Sequence, residues 1–301
     1  MDDSALFLAV IAALATAFCW ALAGMIIFPV TRILGSFKIT VLRTSMGSLA
    51  LILICLVVAD WRALTAEQIL PLALSGFLGV VLSDTARVEA MRRLGPRRGA
   101  VIHASNAPLT VLLGWVLLGE HLPLWTLVGC VTVTIGVMVA VIAKRNGQES
   151  DWESIRGGLW TGLAFGAFAA LVHAGSILAA RPAMATGVDP IAASALRLGI
   201  GAICINVLFH MRGGRIPELI RSSRVHLPRV AISCAFGAVF GMTLLLVALS
   251  FGPAGIVATL SASVPILMLP LVWIVARRSP PLGGWVGAVL AVAGCGLIFL
   301  N

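Results

Sequence analysis

Residues 94–136 read LGPRRGAVIHASNAPLTVLLGWVLLGEHLPLWTLVGCVTVTIG, and residues 251–294 follow the same plan as FGPAGIVATLSASVPILMLPLVWIVARRSPPLGGWVGAVLAVAG. In each copy a Gly-Pro pair opens an apolar run with a proline in its middle. A polar break follows, and two glycines stand in a second apolar run. The middle prolines, Pro108 and Pro265, are 157 positions apart, and the later glycines are 158 apart. These stretches are therefore two copies of one duplicated unit, separated in register by a single inserted residue.

The composition excludes a water-soluble globular protein. The 301 residues are 60% hydrophobic and only 11% charged, whereas a soluble domain needs roughly a quarter of its residues charged. About 20 apolar residues cross the ~30 Å hydrocarbon core of a membrane as a helix. The start, Met1-Asp2-Asp3, lacks the positive charge of a secretory signal, so we expect the first helix to be a permanent span. The sequence predicts an all-α integral membrane protein with ten transmembrane helices, at residues 6–28, 39–58, 69–91, 99–118, 124–143, 158–180, 190–211, 227–250, 254–276 and 282–300.

The ten predicted helices divide into two halves of five. We predict a first repeat at residues 1–145, a charged linker at 146–156 and a second repeat at 157–301. Because each half has an odd number of spans, the second half has to enter the membrane upside down relative to the first. The sequence thus predicts two inverted five-helix repeats, related by a pseudo-twofold axis in the membrane plane.

Basic residues are concentrated on one side of this predicted topology. Sixteen lysines and arginines lie in the connections that follow odd-numbered spans, against two, Arg62 and Arg181, on the opposite side. Short loops rich in lysine and arginine stay in the cytoplasm. We therefore expect both termini to face outward. We attribute the net charge of +9 to these loops, and we expect no nucleic-acid partner.

The two copies resemble the EamA-type repeats of the drug/metabolite transporter superfamily, and the resemblance spans nearly the whole chain. The residues that carry it are Leu94-Gly95-Pro96, Pro108, Leu117-Leu118-Gly119-Glu120, Gly129 and Gly136 in the first half, and Gly237, Ala248-Leu249, Phe251-Gly252-Pro253, Pro265, Gly287 and Gly294 in the second. The resemblance implies a ten-helix carrier of the bacterial inner membrane that exports amino acids, other metabolites or toxic compounds, often with coupling to protons. Two features depart from the family. Gly119-Glu120 becomes Ala276-Arg277 in the second copy, and relatives usually keep both termini in the cytoplasm.

Four polar residues of the third and fourth predicted helices are candidates for a substrate or proton site. Asp84 and Arg87 are three positions apart, so they share a helical face and can pair. The turn at Gly95-Pro96 folds the fourth helix back, which brings His103 and Asn106 level with them as hydrogen-bonding groups. Asp84 would accept a proton or a substrate amine, and Arg87 would hold a carboxylate. The alternative is a structural ion pair that locks the two helices together.

Two prolines predict breaks in the fourth and ninth helices. Pro108 and Pro265 each remove a backbone donor and free the carbonyl four residues back. Such breaks are tolerated where the freed groups line a cavity or find a neighbour. One interpretation is a pair of symmetry-related kinks that line the pathway, and the other is a pair of static kinks satisfied by hydroxyl groups. The hydroxyl residues near them are Ser105, Thr110, Thr259, Ser261 and Ser263.

Other polar and aromatic residues inside the spans are assigned weaker roles. Arg43 and Arg197 occupy similar places in the second and seventh helices. For both we favour snorkelling, or a tie to a neighbouring helix end, over substrate contact. We expect His173 to be a hydrogen-bonded packing residue. We expect Trp20 and Trp115 to pack in the core rather than to stack on a substrate.

The sequence lacks motifs for metal binding, cofactor binding or catalysis. The six cysteines lie inside apolar runs without a C-x-x-C pair, so we expect packing residues, no metal site and no cofactor. Because H-E-x-x-H and G-x-S-x-G are absent, we expect no enzyme. The expected partners are a small-molecule substrate, the lipid bilayer and protons, and the expected state is a monomer or a homodimer.

The sequence therefore predicts a secondary active transporter that exports a small amphipathic or zwitterionic metabolite, through proton coupling or exchange. Inverted repeats with kinked helices favour alternating access over a fixed pore. The alternatives are a passive channel, a non-transporting membrane sensor and, among transporters, a sugar-phosphate or nucleotide-sugar exchanger. The exchanger would need several cations in its cavity, and from the sequence only Arg87 is well placed.

Overall fold

A computed structural model describes residues 3–59, 64–94, 99, 102–120, 122–142, 158–264, 266–267, 271 and 282–298. Ten helices, numbered in chain order, carry the described part of the fold. They are α1 Asp3–Leu34, α2 Ser36–Val58, α3 Ala66–Leu94, α4 Ile102–Leu118, α5 Leu124–Ile142, α6 Leu159–Ala185, α7 Pro190–Met211, α8 Arg224–Phe251, α9 Ala254–Ser261 and α10 Leu282–Ile298. A short helix, Ile216–Ser222, lies between α7 and α8.

Six of the described helices, α1 to α3 and α6 to α8, are long and apolar enough to cross a membrane. Helices α4, α5 and α10 are shorter apolar helices within their described residues. Beyond Ser261, the chain is again helical at residues 264, 266–267 and 271. The predicted all-α membrane architecture is confirmed, whereas full crossing of the membrane by α4, α5, α9 and α10 stays a prediction.

The helices of one half pack against those of the other in matched pairs. Equivalent helices meet directly, α2 with α7, α5 with α10 and α4 with α9. Other helices pack on non-equivalent helices of the opposite half. Helix α1 of the first half packs on α8 and α9 of the second, and α6 of the second half packs on α3 and α4 of the first. We call such cross-packed helices exchanged partners. The largest apolar core joins α1, α6, α8 and α9. Contacts arranged in this way are what a pseudo-twofold axis between two repeats produces.

The repeated glycines of the opening stretch interlock α5 with α10. A Cβ atom added to Gly136 would lie 2.6 Å from the carbonyl oxygen of Gly287. A Cβ atom added to Gly294 would lie 2.8 Å from the carbonyl oxygen of Gly129. All four glycines that carry the repeat thus meet at one interface. The two backbones approach so closely there that a side chain has no room.

Helices α3 and α8 each contain a π-helical segment at the same place in the repeat. The segments are Phe77–Ser83 and Ala235–Phe240. Just before each, a serine hydroxyl donates to a carbonyl of the exchanged partner helix. Ser75 donates to Ser176 of α6, and Ser233 donates to Ala23 of α1 at 2.9 Å. A π-segment widens a helix by one residue, so both helices change register halfway through the bundle.

Two predicted helix ends are wrong. Pro29 does not end the first helix, since α1 continues to Leu34. Helix α6 continues to Ala185, and it therefore contains Arg181, which was assigned to a loop, as well as Pro182. A proline close to a helix end disturbs few backbone bonds, and neighbouring helices in a bundle satisfy the freed groups.

Candidate functional site

Asp84 lies at the centre of an ion cluster between α2 and α3. Its carboxylate accepts a hydrogen bond from Arg87, the predicted partner three positions on. Arg43 of α2 approaches from the other side, with its Nη1 atom 3.9 Å from Asp84 Oδ2. The side chains of Arg43, Asp84 and Arg87 are 14%, 22% and 29% exposed. We call these residues the Asp84 cluster. It carries two cations and one anion, and all three side chains retain accessible surface.

Three rings from three helices form a row beside this cluster. The rings of His103 and His173 are 5.1 Å apart between centroids, and His173 and Trp20 are 5.9 Å apart. Trp20 and Arg43 both approach Gly237 of α8, since Trp20 Nε1 is 3.1 Å from its carbonyl oxygen and Arg43 Nη2 would be 2.9 Å from a Cβ atom added there. Each of the three rings is half-buried. We call Trp20, His173 and His103 the aromatic row. It offers a stacking surface next to the Asp84 cluster.

The aromatic row modifies two of the weaker assignments. Trp20 donates from its Nε1 to the carbonyl oxygen of Gly237 at 3.1 Å, in the π-segment of α8. It therefore packs as predicted, but its ring also faces His173. His173 packs between the rings of Trp20 and His103. The Nδ1 atom of His103 is buried without a hydrogen-bond partner among the described residues.

Helix α4 is broken at Ser105, one turn before Pro108, and resumes at Asn106. The amide nitrogen of Asn106 donates to the carbonyl oxygen of His103 at 2.6 Å. The predicted convergence of four polar side chains is therefore wrong for Asn106, because its amide donor is used to bridge the break in its own helix. Of the other predicted members, Asp84 and Arg87 form an ion pair, and His103 lies in the aromatic row.

Helix α9 is interrupted at the equivalent position. It ends at Ser261, turns at residues 262–263 and resumes at Val264. The first residue of this turn, Ala262, is 157 positions beyond Ser105. Pro265 itself lies outside the described residues. Symmetry-related breaks in the two helices are thus present. Ser263 is buried in the turn, and its hydroxyl has no hydrogen-bond partner in the described part of the chain.

Most hydroxyl groups near the breaks bond to their own helices. Ser105 donates to Ile102 at 2.6 Å, and Thr110 donates to Asn106 at 2.8 Å. Thr259 and Ser261 likewise donate to carbonyl oxygens of the preceding turn in α9. Such bonds are those expected of kinks satisfied locally by hydroxyl groups.

A cavity of about 490 Å³ opens between α4, α5 and α9. Both broken helices line it, α4 with four residues that include Pro108, and α9 with Thr259. The rest of its lining is mainly apolar, and Trp115 belongs to it. Core packing was predicted for Trp115 and is wrong, since the residue is 56% exposed. The α4 break therefore lies between this apolar cavity and the aromatic row.

Glu120 joins the two halves at the end of α4. Gly119 has a positive φ of 62° and ends the helix in the left-handed conformation, which glycine adopts without strain. Glu120 Oε1 then accepts a hydrogen bond from the backbone nitrogen of Ala254, at the first turn of α9, at 3.0 Å. Arg181 Nε lies 3.5 Å from the same oxygen. The Gly-Glu signal was visible in the sequence, but its target on α9 depends on tertiary packing.

Arg43 and Arg197 do not snorkel. Arg43 belongs to the Asp84 cluster, and Arg197 is only 1% exposed. Arg197 donates from Nη2 to the hydroxyl of Ser176 at 3.0 Å. Of the two roles favoured for these arginines, the tie to a neighbouring helix is the one observed, and it reaches the middle of that helix rather than its end.

Metal ligands do not cluster in the part of the chain that the structure describes. Five cysteines, Cys19, Cys55, Cys130, Cys204 and Cys234, are free thiols, and all but Cys204 are buried. The side chain of Cys295 lies outside the described set.

Comparison with known proteins supports the resemblance. The model of the EamA-like transporter family matches residues 7–142 and 160–300, which are two repeats over the whole chain. A solved structure described as "Crystal structure of protein" has a TM-score of 0.72 and 18% identity over 96% of this chain and 95% of that chain, which shows the fold alone. No curated protein matches. With this fold and both repeats matched, the chain belongs to the EamA-like transporter family of the drug/metabolite transporter superfamily, and it is a multi-pass membrane protein.

Proposed function

We propose that this chain is a secondary active transporter that exports a small zwitterionic or amphipathic solute by alternating access. The solute binds at the Asp84 cluster and packs against the aromatic row. One observation carries the proposal. Asp84 is held by two arginines inside a membrane bundle, and all three side chains keep accessible surface. Ionisable groups placed in this way mark substrate or ion pathways in membrane proteins.

The chemistry of the cluster suits a solute with both signs of charge. The Asp84 carboxylate accepts a substrate amine or a proton, and the Arg43 and Arg87 guanidinium groups hold a carboxylate. Since the cluster has one more cation than anion, the solute carries at least one negative group. The aromatic row offers flat apolar surface for the remainder of the solute, in the way that aromatic side chains bind ligands elsewhere.

Competition for Asp84 provides a route to proton coupling. A proton and a substrate amine both require the Asp84 carboxylate, so occupancy by one excludes the other. A carrier with such a shared group exchanges the two species across the membrane. His103 and His173, whose rings are 5.1 Å apart in the aromatic row, offer imidazole nitrogens for hydrogen bonds to the solute or to the water that carries the proton.

Sugar-phosphate or nucleotide-sugar exchange is the second candidate function. The sequence indicated only Arg87 as a well-placed cation, but Arg43 also contacts Asp84. Two arginines at one site are the kind of group that binds phosphate bidentately. Counterflow separates the candidates, because a zwitterion carrier exchanges labelled amino acids, whereas a phosphate carrier exchanges labelled sugar phosphates.

The location proposed for the protein is the bacterial inner membrane, with both termini outward. The support is the excess of basic residues in the predicted connections after odd-numbered spans, sixteen against Arg62 alone once Arg181 is assigned to α6. Glu89, Arg92 and Arg93 form a further ion group at the end of α3. Groups of this kind belong at the water interface, next to the basic turn at residues 95–98.

Flux through proteoliposomes tests the proposal. A thermal-shift screen of the purified protein against amino acids, nucleosides, polyamines and cationic dyes first identifies a solute. Asp84→Asn is then expected to lower counterflow at least about tenfold, the effect of losing ~1.4 kcal/mol of binding or coupling energy. It should also abolish the dependence of flux on a pH gradient.

Glu89→Gln is the matched control, because it removes a carboxylate from an ion group on the same helix but outside the Asp84 cluster. Its flux should equal that of the unchanged protein. If Asp84→Asn transports normally with its pH dependence intact, Asp84 is not the coupling group. Flux that neither saturates nor responds to solute on the far side would indicate a channel.

A further inference from the structure

Arg197 is a buried cation whose donors are largely unused. Its Nε and Nη1 atoms have no hydrogen-bond partner among the described residues, and only Nη2 is bonded, to Ser176. Ser194 lies three positions earlier on α7, is 0% exposed, and its hydroxyl is likewise unpartnered in the described region. Residues three apart share a helical face. Arg197 and Ser194 are therefore buried on one face of α7, and within the described residues neither the Ser194 hydroxyl nor the Nε and Nη1 atoms of Arg197 meet a hydrogen-bond partner.

The setting of Arg197 repeats that of Arg43. A Cβ atom on Gly79 of α3 would lie 3.4 Å from Arg197 Nη2, and one on Gly237 of α8 would lie 2.9 Å from Arg43 Nη2. Each arginine thus lies against a glycine in the π-segment of the exchanged helix. The two differ in their partners. Arg43 has Asp84, whereas the position 157 residues after Asp84 is Gly241, which offers no carboxylate.

We infer that Arg197, with the hydroxyl of Ser194, is an anion-binding position that receives the carboxylate group of the transported solute. Arg43 and Arg87 hold this carboxylate in the conformation described here. Arg197 takes it over when the second half adopts the arrangement that the first half has now. This inference rests on the proposed function and adds to it a second contact, on the opposite side of the pseudo-twofold axis.

A line of polar groups connects the two positions. Ser176 and His173 are three residues apart on α6, so both lie on one face of that helix. His173 packs against Trp20 and His103 in the aromatic row, and Ser176 accepts a hydrogen bond from Arg197. One face of α6 therefore carries polar groups from the aromatic row to Arg197.

The unpaired guanidinium group of Arg197 leads to a prediction about thermal stability. A buried cation without a counter-ion is costly, and its replacement by an apolar residue of similar size is often stabilising. Arg197→Met is thus expected to unfold at a higher temperature than the unchanged protein in the absence of carboxylates, by about 2 °C or more. Arg215→Met is the matched control, since Arg215 is 76% exposed in a surface pair, and its melting temperature should not change.

Acetate probes the anion position directly. Thermal unfolding of the purified full-length protein, followed by tryptophan fluorescence, is compared in sodium acetate and in the uncharged analogue acetamide at constant ionic strength. Acetate should raise the melting temperature of the unchanged protein and of Arg215→Met. It should raise that of Arg197→Met by less than half as much.

Two results would overturn the inference. In the first, Arg197→Met is less stable than the unchanged protein, which would make Arg197 a satisfied structural residue. In the second, the acetate shift persists in Arg197→Met and is lost in Arg43→Met, which would confine carboxylate binding to the Asp84 cluster. Neither thermal-unfolding measurement depends on transport activity. Failure of the anion position is therefore distinct from failure of the proposed function, which Asp84→Asn transport decides.

Discussion

A single carboxylate, Glu120, holds the first turn of α9 against the end of α4. It accepts from the backbone nitrogen of Ala254 and lies near Arg181. A negative charge at a helix N-terminus stabilises by about 0.3–1 kcal/mol, and by up to ~2 kcal/mol when partly buried. Glu120→Gln is therefore expected to lower the free energy of unfolding by about 1–2 kcal/mol, measured by denaturant or thermal unfolding in detergent.

Glu218→Gln is the control for this prediction, because Glu218 is 70% exposed and pairs only with Arg215 at the surface. Exposed pairs of this kind contribute little. If Arg181→Met combined with Glu120→Gln costs the full sum of the two single changes, the residues are not coupled, and the contact between Glu120 and Arg181 does not stabilise the fold.

Spacing alone predicted some of the site's residues and missed others. The pair Asp84–Arg87 follows from the helical period, since both residues belong to one helix. Arg43 could not be added, because its 3.9 Å approach to Asp84 depends on how α2 packs against α3. Asn106 was misplaced for a local reason, as the break in α4 turned its amide onto His103. Contacts within a helix are readable from sequence, and contacts between helices are not.

At the scale of helices, the α5–α10 interface depends on glycine. A methyl group at Gly136 would lie within 2.8 Å of two backbone atoms of α10, which cannot move aside as a flexible side chain can. Gly136→Ala is expected to destabilise the protein by about 1–3 kcal/mol, the usual cost of overpacking. Gly175→Ala is the matched control on α6, because its nearest neighbour, Leu78 Cδ1, would be 3.8 Å away.

The two glycine substitutions should change the free energy of unfolding in opposite directions, with Gly136→Ala lowering it and Gly175→Ala raising it. Alanine has a higher helix propensity than glycine by up to ~1 kcal/mol, and at position 175 nothing opposes that gain. Melting temperatures of the two variants, measured side by side, check the prediction. If Gly136→Ala is as stable as Gly175→Ala, the helices are not in backbone contact at this point.

Proline and glycine made several elements predictable. The break in α4 follows from Pro108, since a proline ring clashes with the turn before it, whereas the repeated glycines indicated the duplication but not the α5–α10 contact. The π-segments of α3 and α8 were not predicted, because no proline or polar run marks them. They coincide with the hydrogen bonds of Ser75 and Ser233 to exchanged partner helices, and such bonds depend on the assembled bundle.

At the scale of the whole molecule, the charge distribution makes a prediction about topology. Both termini are expected outside, because sixteen basic residues lie in the opposite set of connections. A reporter enzyme active only in the periplasm, fused after Asn301, should therefore be active. The same reporter inserted in the 146–156 linker should be silent. The reverse pattern would place the termini in the cytoplasm, as in most relatives.

The duplicated sequence was enough to predict the overall architecture. Two copies of five apolar runs predicted the all-helical fold and the order of its helices, six of which are long enough to cross a membrane within the described residues. The exchange of partners, with α1 on α8 and α6 on α3, was beyond the sequence. Apolar faces of membrane helices differ little from one another, so hydropathy does not select which faces meet.

Asp84 in the first half corresponds to Gly241 in the second, and this difference affects the unloaded protein in the proposed alternating-access cycle. Two identical halves would leave the unloaded protein divided evenly between its inward and outward orientations. Here one half has a charge pair and the other has an uncompensated guanidinium group, Arg197, so the two orientations differ in free energy. A difference of ~1.4 kcal/mol already gives a ratio of about ten to one. In the proposed alternating-access cycle, net flux still follows the gradients, but the empty protein returns more slowly in one direction and spends most of its time open to one side of the membrane.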